Sequence, residues 1–235
     1  MRVFQPNIQP FNLFLSRPKV HRVADSLLRS YSAQILLKAY FCIMLKGIKN
    51  RNIILASQSP RRQQLLKGLE VDFEVRTKDT DESFSDQLHR EEVALYLAAK
   101  KADAFMEELS PEDILITADT TVYLEGDILN KPADRAEAIS MLKRLSGKTH
   151  TVITAVCIAD LSKRVVFHDE TQVVFGALTD EEITHYVDTY APFDKAGSYG
   201  AQDFIGYIGI QSLHGSYYNV MGLPLHRLYE ELNRF

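Results

Sequence analysis

Ile53-Ile-Leu-Ala-Ser-Gln-Ser-Pro-Arg-Arg-Gln-Gln-Leu-Leu-Lys-Gly68 joins an apolar run to a serine-rich turn and then to a short, doubly basic amphipathic segment. The spacing predicts a buried strand, a turn and a helix. Ser59 suits the N-cap, where its hydroxyl can accept from an orphan amide of the first turn, and Pro60 suits the first helical position because it has no amide to leave unpaired. Gly68 marks the stop. Free amides and the positive end of the helix dipole face such a turn, which makes it an anion site. Two arginines near a helix N-terminus oppose that dipole, so Arg61 and Arg62 either sit in water or call for a compensating anion. Their forked donors match phosphate oxygens, so the candidate phosphate ligands are Ser57, Ser59 and Arg62 with Arg61 beside them, and the ligand this chemistry suits is a polyphosphate.

Working outward, the chain reads as α/β. Val71 to Arg76 forms a second short strand, Thr77 to Arg90 an acid-rich loop, and Glu91 to about Leu109 one helix with apolar residues at three-to-four spacing and Lys100 or Lys101 on its exposed face. Asp113 to Ala118 is a compact apolar strand. Val122 to Leu124 and Ile128 to Asn130 flank Glu125-Gly126, a hairpin signal. Ala133 to Leu145 is a helix, and the β-branched runs Thr151 to Asp160 and Lys163 to Gly176 pair as long antiparallel strands. Thr179-Asp-Glu-Glu182 is a capping box opening a helix to about Tyr190. The glycine-rich stretch Ala191 to Gly209 is a loop, and Pro224 to Phe235 a final helix. Long antiparallel pairs in the second half point to a mixed, elongated sheet flanked by helices, with two lobes around a cleft, rather than to a doubly wound parallel sheet.

Composition sets limits. With 235 residues, 46% hydrophobic and 25% charged, the chain can bury a sizeable core. The net charge of -4 argues against a protein that coats nucleic acid through a general basic surface, so a phosphate ligand would be small. Cys42 and Cys157 make no disulfide framework and show no zinc-like spacing with the seven histidines, which suits a reducing cytoplasm. Residues 1–43 carry six basic side chains against one acid, leaving 21 basic and 30 acidic residues for the rest. The apolar run 35–45 is too short to span a bilayer and is interrupted by Lys38. Residues 1–43 are therefore expected to be an extension, disordered or a targeting leader, or the product of a translation start placed too far upstream, with the folded domain at 44–235.

Chemistry concentrates downstream. Asp119, after the run Ile114 to Thr117, falls at the carboxyl end of a buried strand, where α/β sheets place reactive groups. Glu82 lies in the acidic loop. Together they suit Mg²⁺ or Mn²⁺, which take oxygen ligands and keep waters; alone, Glu82 is a solvated loop residue and Asp119 a turn cap. A two-residue turn at Glu125-Gly126 makes paired positions sum to 251, which sets Lys131 opposite Thr120, about 5 Å away, and beside Asp119. There Lys131 either balances phosphate charge or ends a solvated strand. The loop Asp194-Lys-Ala-Gly-Ser-Tyr-Gly-Ala-Gln202 sets Lys195 beside glycines that let amides face an anion. Gln202 has the donors and acceptor to read the imide edge of uracil or thymine. Asn219 either holds its turn or lines the pocket.

These residues resemble the Maf-like nucleotide pyrophosphatase family. The matching segments are Ser57-Gln-Ser-Pro-Arg-Arg62, Ala118-Asp-Thr120, Lys131-Pro132, Leu145-Ser-Gly147, Asp194 to Gln202 and Asn219-Val-Met-Gly-Leu-Pro224, in the family's order and spacing from about Ile53 to the C-terminus. The resemblance implies a fold shared with inosine-triphosphate pyrophosphatases and divalent-metal-dependent hydrolysis between the α and β phosphates of a nucleoside triphosphate. Asp119 matches the proton acceptor; Glu82, Lys101 and Lys131 match other acidic and basic active-site positions. Arg61, Thr120 and Gln202 match the branch specific for dTTP and UTP rather than the one specific for a methylated guanine nucleotide. The implied role is a cytoplasmic, house-cleaning hydrolase whose partner is its nucleotide, with no nucleic acid or membrane, and for which a homodimer is allowed. Two alternatives stand beside it: a nucleotide-sensing regulator of cell division without essential catalysis, and the same chemistry on a purine.

Overall fold

The computed structural model describes residues 45–235. The expectations for residues 1–43, and for nearly all of the apolar run at 35–45, lie outside them. Among the described residues no helix is long and apolar enough to cross a membrane.

The opening stretch folds as its chemistry demands. β1 (Asn52–Ala56) is buried after its first residue, and α1 (Pro60–Gly68) follows, with Ser59 as N-cap and Pro60 at its start. β2 (Phe73–Arg76) lies parallel to β1. The helix expected to run to about Leu109 ends sooner: α2 spans Glu91–Asp103, and a 3-10 turn covers Met106–Glu108. β3 is one strand, Asp113–Leu124, where the sequence suggested two short runs. Its continuity comes from β5 (Thr149–Ala159), which pairs with it antiparallel from Leu115 to Tyr123 and so carries the polar Asp119-Thr120-Thr121 through the sheet. β4 (Asp127–Leu129) closes the hairpin on β3 in the expected register, Val122 opposite Leu129. Glu125 and Gly126 both have positive φ, as a tight turn matched to strand twist requires.

α3 (Arg135–Leu145) is capped by Asp134, and β6 (Arg164–Phe175) pairs antiparallel with β5 along its length. α4 (Asp180–Tyr190) has the full Thr179–Glu182 capping box. The stretch read as a loop up to Gly209 contains a 3-10 turn at Ala196–Ser198 and a short α5 (Phe204–Gly209). β7 (Ile210–His214), α6 (Tyr217–Val220) and α7 (Leu225–Arg234) complete the chain. The mixed sheet runs β2-β1-β3-β5-β6-β7, with β4 on β3.

Side-chain alternation along the strands divides the core. Ile54, Leu115, Ala155 and Cys157 pack toward Ala94 and Ala98 of α2. Ile53, Leu55, Ile116 and Val156 pack on the opposite face with Leu65 and Leu66 of α1 and Leu228 and Leu232 of α7. A separate cluster, including Val122, Leu124, Leu142, Leu145, Phe175 and Tyr186, unites the other end of the long strands with α3 and α4. The site lies where these parts meet. β1 leaves β3 after the pair Leu55–Ile116, and β4 joins it only at Val122, so residues 117–121 are paired by β5 on one edge and by no strand on the other among the described residues.

Candidate active site

That gap in the edge of β3 is the floor of a cleft of about 900 Å³, lined by the Ser57–Arg62 turn, Glu82, Lys101, Asp119, Lys131 and Gln202 among others. The turn is built by its own hydroxyls. Ser59 accepts from the Arg62 amide at 3.5 Å, and its amide donates to Ser57 Oγ at 3.3 Å.

Arg62, expected on the phosphates, lines the cleft with most of its donors turned to protein. Its Nε donates to Gly222 O at 2.8 Å, Nη1 to Ala118 O at 2.8 Å and Ser57 Oγ at 3.5 Å, and Nη2 to Thr120 Oγ1 at 3.0 Å. Four donors are thus committed to protein, and Arg62 ties α1, β3 and the Gly222 turn together. Burial pushes its guanidinium pKa down and the Asp119 charge opposes that shift, which leaves a cation at any working pH. Arg61 instead reaches the rim, where it donates to Asp194 at 3.2 Å; Lys195 donates to the same carboxylate at 2.7 Å. Burial alone would raise the Asp194 pKa, but these two cations hold it below the usual carboxylate range. Asp194 thereby joins two cations that the sequence offered as separate phosphate ligands, a partnership across 133 residues that no local pattern signals.

The acid–base group is a zigzag of alternating charge. Asp119 is 8% exposed, and its Oδ1 accepts from Lys101 of α2 at 2.6 Å; Lys101 also donates to Glu82 at 2.8 Å, and Lys131 donates to the other Glu82 oxygen at 2.9 Å. Thr117, two residues before Asp119 and on the same face, pins α2 by donating to Ala98 O at 2.6 Å. Lys131 therefore reaches Glu82, where the register had set it beside Asp119. The register itself holds, but the ladder stops at Leu129, two residues short of Lys131. Burial would raise the Glu82 pKa; hydrogen bonds and charge from Lys101 and Lys131 outweigh it and hold the group at about 2.

No group of three His, Cys, Asp or Glu side chains suited to a metal occurs among the described residues. The donor set still fits a divalent cation of the Mg²⁺ kind, which is held by one or two carboxylates together with substrate phosphates rather than by a protein cage. The Lys101 ammonium already bridges Glu82 and Asp119, so this pair accepts a shared positive charge.

Thr120 and Gln202 also line the cleft. Gln202 Oε1 is buried without a protein partner. Asn219 holds its turn: fully buried, it donates from Nδ2 to Val152 O and Thr171 Oγ1, each at 3.0 Å. The sequence did not single out Thr154, which lies behind Thr120 at 3.0 Å between hydroxyl oxygens; its place emerges only from strand pairing.

Residues 52–235 match the family described as Maf-like protein. A dTTP/UTP pyrophosphatase of Parabacteroides distasonis is 50% identical over 193 residues, covering 82% of this chain and 100% of that protein. One from Porphyromonas gingivalis is 51% identical over 195 residues, covering 82% and 98%. Among solved structures, the Ham1 protein of Staphylococcus aureus is similar at a TM-score of 0.45 and 16% identity, over 77% of this chain and 100% of that one. The serine-arginine turn, the Asp119 strand and the Asp194–Gln202 loop all fall within the matched residues, and half the positions coincide with full-length relatives: the chain belongs to the Maf-like family.

Proposed function

We propose that the chain is a nucleoside triphosphate pyrophosphatase that hydrolyses dTTP and UTP to the monophosphate and pyrophosphate. The observation that carries this reading is the Asp119–Lys101–Glu82–Lys131 zigzag at the floor of a cleft rimmed by cations. The relatives' names support the substrate, and Gln202, which lines the cleft and whose side-chain oxygen is buried without a protein partner, supports a ligand that a side-chain amide can contact.

In this mechanism the triphosphate enters with its charge met by Arg61, Lys195 and the α1 N-terminus, and Ser57 and Ser59 shape the turn against it. Asp119 orients a water and takes its proton. Oδ1 already accepts from Lys101, so the proton goes to Oδ2. Lys101 and Lys131 keep Glu82 ionised and offset charge on the transferring phosphoryl group, a reaction governed by positioning and electrostatics. Glu82 and Asp119 would hold a divalent cation, which supplies further charge neutralisation at the phosphate oxygens when bound. The same reading makes residues 44–235 the catalytic unit, a homodimer its allowed assembly and the cytoplasm its setting, where it would keep such nucleotides out of nucleic acid.

The test is a panel of dTTP, UTP, CTP, GTP and ITP, each incubated with the protein and Mg²⁺ or Mn²⁺. Turnover confined to dTTP and UTP is expected. Preference for GTP or ITP would replace the base assignment, and tight binding without turnover would favour the nucleotide-sensing regulator.

A further inference from the structure

We infer that Thr154, a wholly buried residue outside the cleft, fixes the Thr120 hydroxyl as a hydrogen-bond acceptor and so makes the cleft select pyrimidines with an imide N–H over cytosine. The inference rests on the pyrimidine-nucleotide reading above.

It follows from counting protons. Thr154 is 0% exposed, and its hydroxyl lies 2.8 Å from the carbonyl oxygen of Asn219, a group that can only accept. The single Thr154 proton is therefore spent there. Thr120 Oγ1, 3.0 Å from Thr154 Oγ1, must supply the proton of that contact, which commits the only proton Thr120 has. On its other side Thr120 Oγ1 accepts from Arg62 Nη2 at 3.0 Å. A hydroxyl has two lone pairs, so one remains, on a residue that lines the cleft.

An acceptor there is of no use to a triphosphate, whose oxygens only accept. It suits a donor. Uracil and thymine present N3–H, whereas cytosine presents a lone pair at N3 and would be repelled. Gly222 keeps the approach tight: a β-carbon there would lie 3.3 Å from Thr120 Oγ1. Behind Thr154 the partner is fixed as well, because Asn219 is tied to Val152 and Thr171, and Thr171 donates to Ser216 O at 3.0 Å. Thr154 is thus a positioning residue that acts through Thr120.

The test compares kcat/KM for UTP and CTP in the wild type, Thr154→Val and Thr154→Ser. Valine keeps the shape and removes the acceptor, so the Thr120 proton is released to face the cleft; the Asn219 carbonyl keeps the Gly222 amide as a donor at 2.9 Å. The UTP-to-CTP ratio is expected to fall by about tenfold or more in Thr154→Val, through the loss for UTP and the gain for CTP, and to return in Thr154→Ser. Equal losses for both nucleotides would make Thr154 merely structural and overturn the proposal. Wild-type protein assayed with N3-methyl-UTP needs no variant to fold: turnover about tenfold or more below that of UTP is expected, and equal turnover would overturn the proposal. A wild type inert toward UTP would overturn the functional reading itself, whereas an active wild type with an unmoved ratio would overturn this proposal alone.

Discussion

Asp119 and Lys101 form the pair on which the proposed chemistry turns. Asp119→Asn keeps the shape but cannot take a proton, and kcat is expected to fall about 10²–10⁴-fold with little change in nucleotide affinity, as steady-state kinetics and a binding titration would read separately. Lys101→Met leaves two carboxylates facing each other, and kcat/KM is expected to drop about 10²-fold or more. Glu82 supplies a check on pH. Its ordinary value is 4.5 and its folded value about 2, so its ion-paired contribution is fully present above about pH 4.5 and is lost only as pH falls through about 2. An activity profile whose acid limb lies near neutrality would then belong to another group. At this scale the sequence named the residues but not their partners. Helix periodicity alone left Lys100 and Lys101 undecided because they are neighbours on one helix, and the family resemblance chose Lys101; the fold turns Lys100 to Asp81 in the acidic loop and Lys101 to Asp119. Asp194, Thr154 and the locking of Arg62 all depend on contacts distant in sequence.

Among the elements, those with local chemistry were legible. The Thr179–Glu182 capping box and the Glu125–Gly126 turn depend on residues three or fewer apart, and both form as read. β7 and α6 were not legible. β7 is held by pairing with β6, and α6 has four residues hung on the buried Asn219, so neither carries a periodic signal of its own. Thr179→Ala should cost about 1 kcal/mol in urea unfolding while kcat is retained, since the cap stands outside the cleft lining. Gly222→Ala should cost roughly 1–3 kcal/mol and also lower kcat/KM. Its φ is +101°, and the new methyl would press on Thr120 and Arg62 at 3.3 and 3.4 Å.

Across the whole molecule, the mixed sheet was foreseen from β-branched runs and turn signals, while the gap in β3 that makes the cleft was not, because it arises from where two neighbouring strands end. Stability should carry a signature of the buried His150, whose ring contacts Tyr199 at 2.7 Å. Burial lowers its pKa from 6.5 to about 4, so below pH 6.5 the unfolded chain takes a proton that the folded one refuses. Stability is then full above about 6.5 and lost as pH falls toward 4, at about 1.4 kcal/mol per pH unit, a slope that urea melts of His150→Asn should lack. Chain length offers another check. Leu45 and Ile48 are buried in the core shared with α7, so a chain starting at Asn52 should forfeit about 1.5–3 kcal/mol for each relative to one starting at Met44.

The most direct measurement is product analysis of UTP turned over with Mg²⁺ by the wild type and by Asp119→Asn. The account predicts UMP and pyrophosphate in equal amounts from the wild type and almost none from the variant. UDP with orthophosphate, or full activity in Asp119→Asn, would contradict it.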